Sequence, residues 1–247
     1  MQTLEADNAQ LIQGDALTTL AELAPESVDA LITDPPYSSG GMFRGDRVQD
    51  TGNKYLNTGA RHVAPSWPGD TRDQRAYALW CERWLTASYR ALKRGGVVAV
   101  FCDWRQLPTV SDAIQVAGFV LRGILVWDKT EGTRPVKGWH RQQSEFVLTA
   151  SKGPRAKAGP DAPALPGVVR CAPRKGEKLH QVGKPVSLMQ EVIRLAPEGG
   201  TVLDPFMGSA TTGVAALESG RGFVGMEIDP HYYAVATERL RKLAESA

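Results

Sequence analysis

Two short clusters in this 247-residue chain combine residue types and spacings that could do chemistry. The first is Asp34-Pro35-Pro36-Tyr37, directly after the apolar run VDALIT. An acid at the carboxyl end of a buried parallel strand lies where open α/β sheets bind ligands. The two prolines fix φ and keep the backbone extended, so the Asp34 carboxylate and the Pro35 carbonyl can aim at one point. Tyr37 adds an aromatic face. Two acceptors and a ring make a receptor for a flat group bearing an NH2, although the same four residues could also be a plain strand-to-loop turn. The second cluster is Asp204-Pro205-Phe206-Met207-Gly208-Ser209-Ala210-Thr211-Thr212, after the apolar TVL. A strand, a loop of small residues and a helix bring backbone N–H groups up to a ligand. Glu227 follows Asp204 by 23 residues, a usual spacing for an acid that holds ribose hydroxyls in a βαβ nucleotide site. The loop is neither G-x-G-x-x-G nor a P-loop, no lysine follows it to meet a triphosphate, and Asp204 would repel a pyrophosphate. It suits a nucleoside whose other arm carries an ammonium and a sulfonium.

Elements able to position these clusters alternate along the chain. Strands are expected over 10–14, 28–33, 97–102, 121–127, 145–150, 201–203 and 222–227, and helices over 73–93, 105–117, 185–196, 211–218 and 231–244. Several strands are unbroken apolar runs (VDALIT, VVAVFC, FVGMEI), the pattern of strands covered on both faces. The fold class that follows is α/β: a doubly wound, seven-stranded, mostly parallel sheet. No helix separates 121–127 from 145–150, so that pair is expected as an antiparallel edge hairpin with a long loop. One domain over 1–247 accommodates all of this.

No apolar run approaches the ~20 residues of a membrane span, and the start MQTLEADNAQ lacks the layout of a signal peptide, so a cytoplasmic location and no membrane partner are expected. Cys81, Cys102 and Cys171 are far apart and the four histidines are isolated, which speaks against a disulfide scaffold and against a metal site. Two irregular stretches interrupt the alternation. Residues 38–72 are rich in Gly, Ser, Asn and Pro and carry Arg44, Arg47, Lys54 and Arg61. Residues 134–179 are rich in proline, and 134–178 hold ten basic residues against three acidic ones. That window carries +7 of a chain whose net charge is +2, so the remainder is at −5. Such a run can be a solvated loop; Trp127, Trp139 and His140 beside the cations favour nucleic acid instead.

Together, DPPY and DPFMGSATT, with HQVGKPVSLMQEVI before the latter and GFVGMEI after it, resemble the S-adenosylmethionine-dependent amino-methyltransferases of DNA. The order, DPPY first and the cofactor loop near the end, is similar to the permuted beta group. The resemblance spans most of the chain, from GDAL at 14–17 to the last helix. It implies a circularly permuted Rossmann-like methyltransferase fold that starts at the third strand of the unpermuted order and ends after the second. It also implies S-adenosylmethionine as cofactor and double-stranded DNA as partner. Carried over by position, Asp34, Pro35, Pro36 and Tyr37 would act on the flipped-out base. Asp204, Phe206 and Gly208 would line the methionine end of the cofactor, with Ser209 and Thr211 in the same loop. Glu227 would hold its ribose and Asp15 and Ala16 would lie near its adenine. Lys184 and Pro185 match the family's K-P, in the segment closing over the carboxylate end. Arg44, Arg47, Arg134, Lys137, Trp139, Arg141, Arg174 and Lys175 would face DNA, from the two irregular stretches. Short recognition loops suit a short target or a homodimer. Asp at the first motif position goes mostly with adenine N6 and Ser mostly with cytosine N4, so adenine is expected, with cytosine N4 as the alternative. The chain departs from the family at Ala210, where the loop usually has a second glycine, and at His180-Gln181-Val182-Gly183, where H-P-T-x is usual. Ala210 keeps open a third reading, a catalytically impaired nucleic-acid-binding relative.

Overall fold

The computed structural model describes residues 2–6, 8–38, 72–133, 135–155, 162–173 and 183–245. Its strands are β1 (Gln2–Ala6), β2 (Ala9–Gln13), β3 (Val28–Thr33), β4 (Leu92–Cys102), β5 (Val120–Asp128), β6 (Ser144–Ser151), β7 (Val168–Arg170), β8 (Thr201–Asp204) and β9 (Gly222–Glu227). The helices are α1 (Ala16–Glu22), α2 (Gln74–Ala91), α3 (Leu107–Val116), α4 (Val186–Ile193), α5 (Thr211–Glu218) and α6 (Pro230–Glu245). All the strands join one sheet in the order β1-β2-β9-β8-β3-β4-β6-β5-β7.

The seven expected strands are the contiguous middle of this sheet, β2 to β5, and both ends carry an addition. β1 pairs antiparallel with β2 through a turn at Asn8, whose φ of 62° is one that asparagine tolerates. β7 is only three residues long and pairs parallel with β5, so the β5–β6 hairpin lies one strand in from the edge. A strand that short, after a proline-rich stretch, has no periodicity for sequence reasoning to find. The irregular window 134–179 therefore holds β6 and β7 within it.

Strand residues alternate between two cores, as a sheet covered on both faces requires. Ala30, Ile32, Ala99, Phe101 and Val202 pack with Leu188, Val192, Val214 and Leu240 from α4, α5 and α6. Leu31, Val98, Val100 and Leu203 pack with Leu20, Trp84, Leu85 and Ile114 from α1, α2 and α3. β9 and α5 approach closely: a Cβ at Gly213 would meet the Phe223 ring at 2.8 Å.

Direction decides where chemistry can happen. β2, β9, β8, β3 and β4 run parallel, β6 is antiparallel to both β4 and β5, and so β5 runs with the parallel set. With β7 parallel to β5, the carboxyl ends of seven strands and the start of β6 thus share one edge of the sheet. Both motif clusters, GDAL, Glu227, Asp103–Gln106, the 129–143 loop and Glu145 converge there.

Candidate active site

The two motifs are joined at their roots. Thr33, the last residue of β3, donates its hydroxyl to Asp204 Oδ1 at 2.6 Å, and the Phe206 N–H donates to the same oxygen at 3.1 Å. Thr212 also hydrogen-bonds the Asp204 carboxylate. Asp204 is 2% exposed, and burial pushes its pKa up to about 6 against these hydrogen bonds. Glu227 accepts from the backbone N–H groups of Gly208 (3.0 Å) and Asp229 (2.9 Å). Burial, against those hydrogen bonds, lifts its pKa to about 7. The Gly14 N–H donates to the Glu227 carbonyl at 2.9 Å, which brings GDAL beside the end of β9. Asp15 there caps α1 by accepting from the Leu17 N–H at 2.9 Å, and Ala16 is buried at the first turn. Sequence periodicity missed α1, although an aspartate before an apolar-spaced run is a cap signal.

Other loop groups have partners within the protein. The Thr211 hydroxyl accepts from Arg239 Nη1 at 3.1 Å, and the same nitrogen donates to the Ser209 carbonyl at 2.9 Å. Arg239 of α6 therefore claims both groups, and it is Thr212 that reaches Asp204. Phe206 packs its ring against Trp80 and Trp84 of α2, each 5.2 Å away. Ala210 sits at φ 59° and ψ 41°, left-handed and fully buried, so the chain adopts a glycine-like conformation without a glycine. The conformation costs about 1 kcal/mol, while the buried methyl contributes about 0.8 kcal/mol. Ala210→Gly is thus expected to leave stability within ~1 kcal/mol of the parent. Ala210→Val, β-branched in the left-handed region and overpacked, is expected to cost ~2–4 kcal/mol. Chemical denaturation of the three proteins checks both.

The DPPY side forms a compact charged cluster. The Tyr37 hydroxyl lies 2.6 Å from Asp34 Oδ1 and 2.6 Å from Glu145 Oε1. Lys184 Nζ is 2.6 Å from Asp34 Oδ2 and 2.9 Å from Glu145 Oε1, and Lys129 Nζ is 3.0 Å from Glu145 Oε2. The Lys184 ammonium also lies 5.2 Å from the centre of the Tyr37 ring and 5.4 Å from that of Phe101. Burial raises the Asp34 pKa, with the Lys184 charge opposing it and the Glu145 charge adding to it. Burial would lift Glu145 as well, but the Lys184 and Lys129 ammoniums bring it down to about 2. Burial would lower Lys184, yet the Asp34 and Glu145 carboxylates hold its pKa above the usual value. The Tyr37 phenol is pushed well up by burial and by the two carboxylates, so it stays neutral. Lys184 thus belongs to the DPPY cluster. Glu145 and Lys129 escaped sequence reasoning because neither lies in a motif; their position at the hairpin mouth, beside the end of β4, is visible only once β6 is placed.

Of the expected DNA-facing residues, Lys137 and Trp139 are exposed in the β5–β6 loop, Trp139 to 73%, with the His140 ring 5.8 Å from its own. Arg141 braces that loop: its Nη1 donates to the carbonyls of Glu131 and Thr133. Trp127 is no stacking platform, being 4% exposed with its indole N–H donated to the Cys171 carbonyl at 2.9 Å. Arg44, Arg47, Arg134, Arg174 and Lys175 lie outside the described residues. The structure adds Trp104, 51% exposed with the Arg105 guanidinium 4.8 Å from its ring centre. Thr33 is in register with Val100, and Cys102 with Phe146, so Trp104 emerges two residues past the end of β4, at the sheet edge that carries Asp34 and Glu145. Among the described residues no group of three or more His, Cys, Asp or Glu could hold a metal, and no helix is long and apolar enough to cross a membrane.

The donor set at the end of β8 and β9 fits S-adenosylmethionine. Two carboxylates, the buried Asp204 and the part-buried Glu227, with no ammonium paired to either among the described residues, match a ligand bearing an ammonium, a sulfonium and ribose hydroxyls.

Residues 28–238 match the family described as DNA methylase. A protein of Escherichia coli named "Putative methylase YubD" is 31% identical over 233 residues, 94% of this chain and 90% of that one. The crystal structure of M1.HpyAVI with SAM superposes with a TM-score of 0.69 at 25% identity, covering 94% of this chain and 98% of the other. The cytosine-N4-specific PvuII DNA methyltransferase shares the fold, with a TM-score of 0.67 at 17% identity over 97% of this chain and 92% of its own. With the motifs, the sheet order and the carboxylate pair in place, the chain belongs to the DNA methylase family, S-adenosylmethionine-dependent methyltransferases of the adenine-N6 and cytosine-N4 group.

Proposed function

We propose that the chain methylates the N6 amine of adenine, in a base flipped out of double-stranded DNA in the cytoplasm. The observation that carries this is the Asp34 carboxylate at the first motif position, held at the sheet edge next to the Asp204–Glu227 site. Bound S-adenosylmethionine supplies an electrophilic methyl group on a sulfonium. The exocyclic amine is a poor nucleophile because its lone pair is delocalised into the ring. Its two N–H groups donate to the Asp34 carboxylate and the Pro35 carbonyl, which draws the nitrogen toward tetrahedral geometry and frees the lone pair. Catalysis of this kind is positioning and electrostatics. Asp34 must release Lys184 to accept the amine, and Glu145 is there to keep the ammonium. Tyr37 and Pro36 line the wall against which the base stacks, and the cost of flipping is a few kcal/mol. Glu227, Asp15 and Ala16 surround the nucleoside end of the cofactor, with Asp204, Phe206, Gly208 and the Lys184-Pro185 segment toward its methionine.

Trp104 and Trp139 supply stacking faces at the same edge, with Lys137 and Arg105 beside them for phosphates. Alanine at either tryptophan is expected to weaken duplex binding about tenfold, the loss of one stacked base, with cofactor affinity unchanged. Fluorescence anisotropy with a labelled duplex and calorimetry with the cofactor measure the two. The functional test is transfer of labelled methyl from S-adenosylmethionine to unmethylated DNA, followed by nucleoside analysis. Label in N6-methyladenine is expected; label in N4-methylcytosine would replace the base assignment while retaining the mechanism.

A further inference from the structure

Glu145 lies outside both motifs, yet it is 7% exposed and touches three polar groups of the site. The Tyr37 hydroxyl is 2.6 Å from both Asp34 Oδ1 and Glu145 Oε1 but has one proton to donate. Two such short O···O contacts need two protons, so one of the carboxyls must carry the second. Among the described residues, Glu145 faces two ammoniums, Lys184 at 2.9 Å and Lys129 at 3.0 Å, and Asp34 faces one, Lys184 at 2.6 Å. Opposite charges favour the ionised carboxylate, so Glu145 keeps its charge and the extra proton rests on Asp34. The chain of donors then runs one way: Asp34 to the Tyr37 oxygen, and the Tyr37 O–H to Glu145.

We propose that Glu145 is the positioning residue that makes Asp34 a base, acting through Tyr37 and Lys184. This rests on the amine-methylation reading above. With Glu145 ionised, the Tyr37 proton points away from Asp34 and the Lys184 ammonium is shared. Without it, both would turn to Asp34 and lower its affinity for a proton. The need is at the amine: as the N–CH3 bond forms, the S–CH3 bond breaks with its electron pair going to sulfur. Above the Asp34 midpoint the proton that Asp34 held has gone to solvent, and the nitrogen then sheds one proton, which passes to the ionised Asp34 carboxylate. Among the described residues, Asp204 from β8 and Cys102 from β4 also face Asp34. Burial keeps the Cys102 thiol neutral, with the Glu145 charge only adding to it, and neither group bonds to Tyr37 or Lys184, so the thiol stays neutral when Glu145 is substituted.

The test is a carboxyl-carbon NMR titration of the free protein, paired with the pH dependence of single-turnover transfer to DNA. In the parent protein Asp34 should titrate above ordinary carboxylates and Glu145 below them. Glu145→Gln should lower the Asp34 midpoint, move the acid limb of the rate profile to lower pH and reduce the plateau rate about tenfold. Glu145→Asp, which retains the charge, should keep both near their parent values. The proposal is overturned if Glu145 rather than Asp34 holds the proton in the parent, which needs no variant. It is equally overturned if Glu145→Gln slows transfer with the Asp34 midpoint and the acid limb unmoved, since that is loss of structure alone. A parent protein that shows the expected titrations but labels no DNA overturns the functional reading instead, and the NMR arm still decides the role of Glu145.

Discussion

Asp34→Ala is expected to reduce methyl transfer to DNA by at least about a thousandfold, with cofactor affinity within a few-fold of the parent. The carboxylate supplies the acceptor that reshapes the amine, and no other ionised oxygen can take its place: Glu145 is bound to Lys129, Lys184 and Tyr37. The substitution also leaves Lys184 with Glu145 as its only carboxylate among the described residues, so the ammonium stays in the site and repels the developing cation. Asp34→Asn is expected to be nearly as inactive, because the amide puts a donor where the amine and Lys184 both need an acceptor. Single-turnover transfer and calorimetry with S-adenosylmethionine separate the two effects. Activity within tenfold of the parent in either variant would place the alignment of the amine elsewhere.

The second large effect is on pH. Asp204 and Glu227 have pKa values raised by burial to about 6 and about 7, from ordinary values of 3.8 and 4.5. The folded protein therefore binds these protons more tightly than the unfolded chain does. The stability they contribute is fully present below about pH 4 and is lost as pH rises through 6 and 7. At ~1.4 kcal/mol per pH unit, each accounts for about 3 kcal/mol. Glu145, lowered to about 2, works the other way: its contribution is present above pH 4.5 and is lost as pH falls toward 2. The free protein is thus expected to melt highest near pH 4 and progressively lower toward pH 7.5. A cationic ligand prefers the ionised carboxylates, so S-adenosylmethionine should bind about tenfold or more tightly at pH 7.5 than at pH 5.5. Melting curves with and without cofactor across that range should show the two trends crossing. A cofactor-induced rise in melting temperature that shrinks as pH increases would contradict the placement of the two acids against the cofactor.

Legibility in the sequence followed the strength of the local signal. VDALIT, VVAVFC and FVGMEI announce strands because burial on both faces removes polar residues altogether, and their order with the helices between them is enough for the fold class. Asp34 and Asp204 could be located because a charged residue closing an apolar run is rare without a ligand. Glu145 could not. It is one acid in a window counted as basic, and its importance comes from β6 inserting between β4 and β5, a pairing that puts it beside residues more than a hundred positions away. Trp127 went wrong for the complementary reason. Composition shows that it is present, but not that it is buried with its indole N–H already given to the Cys171 carbonyl.

The permuted strand order has a consequence for synthesis. β2 is made early but its parallel partner β9 begins with residue 222, and Ala9 pairs with Phe223 across 214 positions. Thr33 likewise waits for Asp204, 171 residues later. At ~5–20 residues per second on the ribosome, β2 and β3 stand without those neighbours for roughly ten seconds or more. Their other edges are covered meanwhile, β2 by β1 and β3 by β4, while the edges that await β9 and β8 stay open. The half that handles the base is therefore assembled first and the half that holds the methyl donor last. A growing chain can reach the stage of touching DNA before it has any means of marking it.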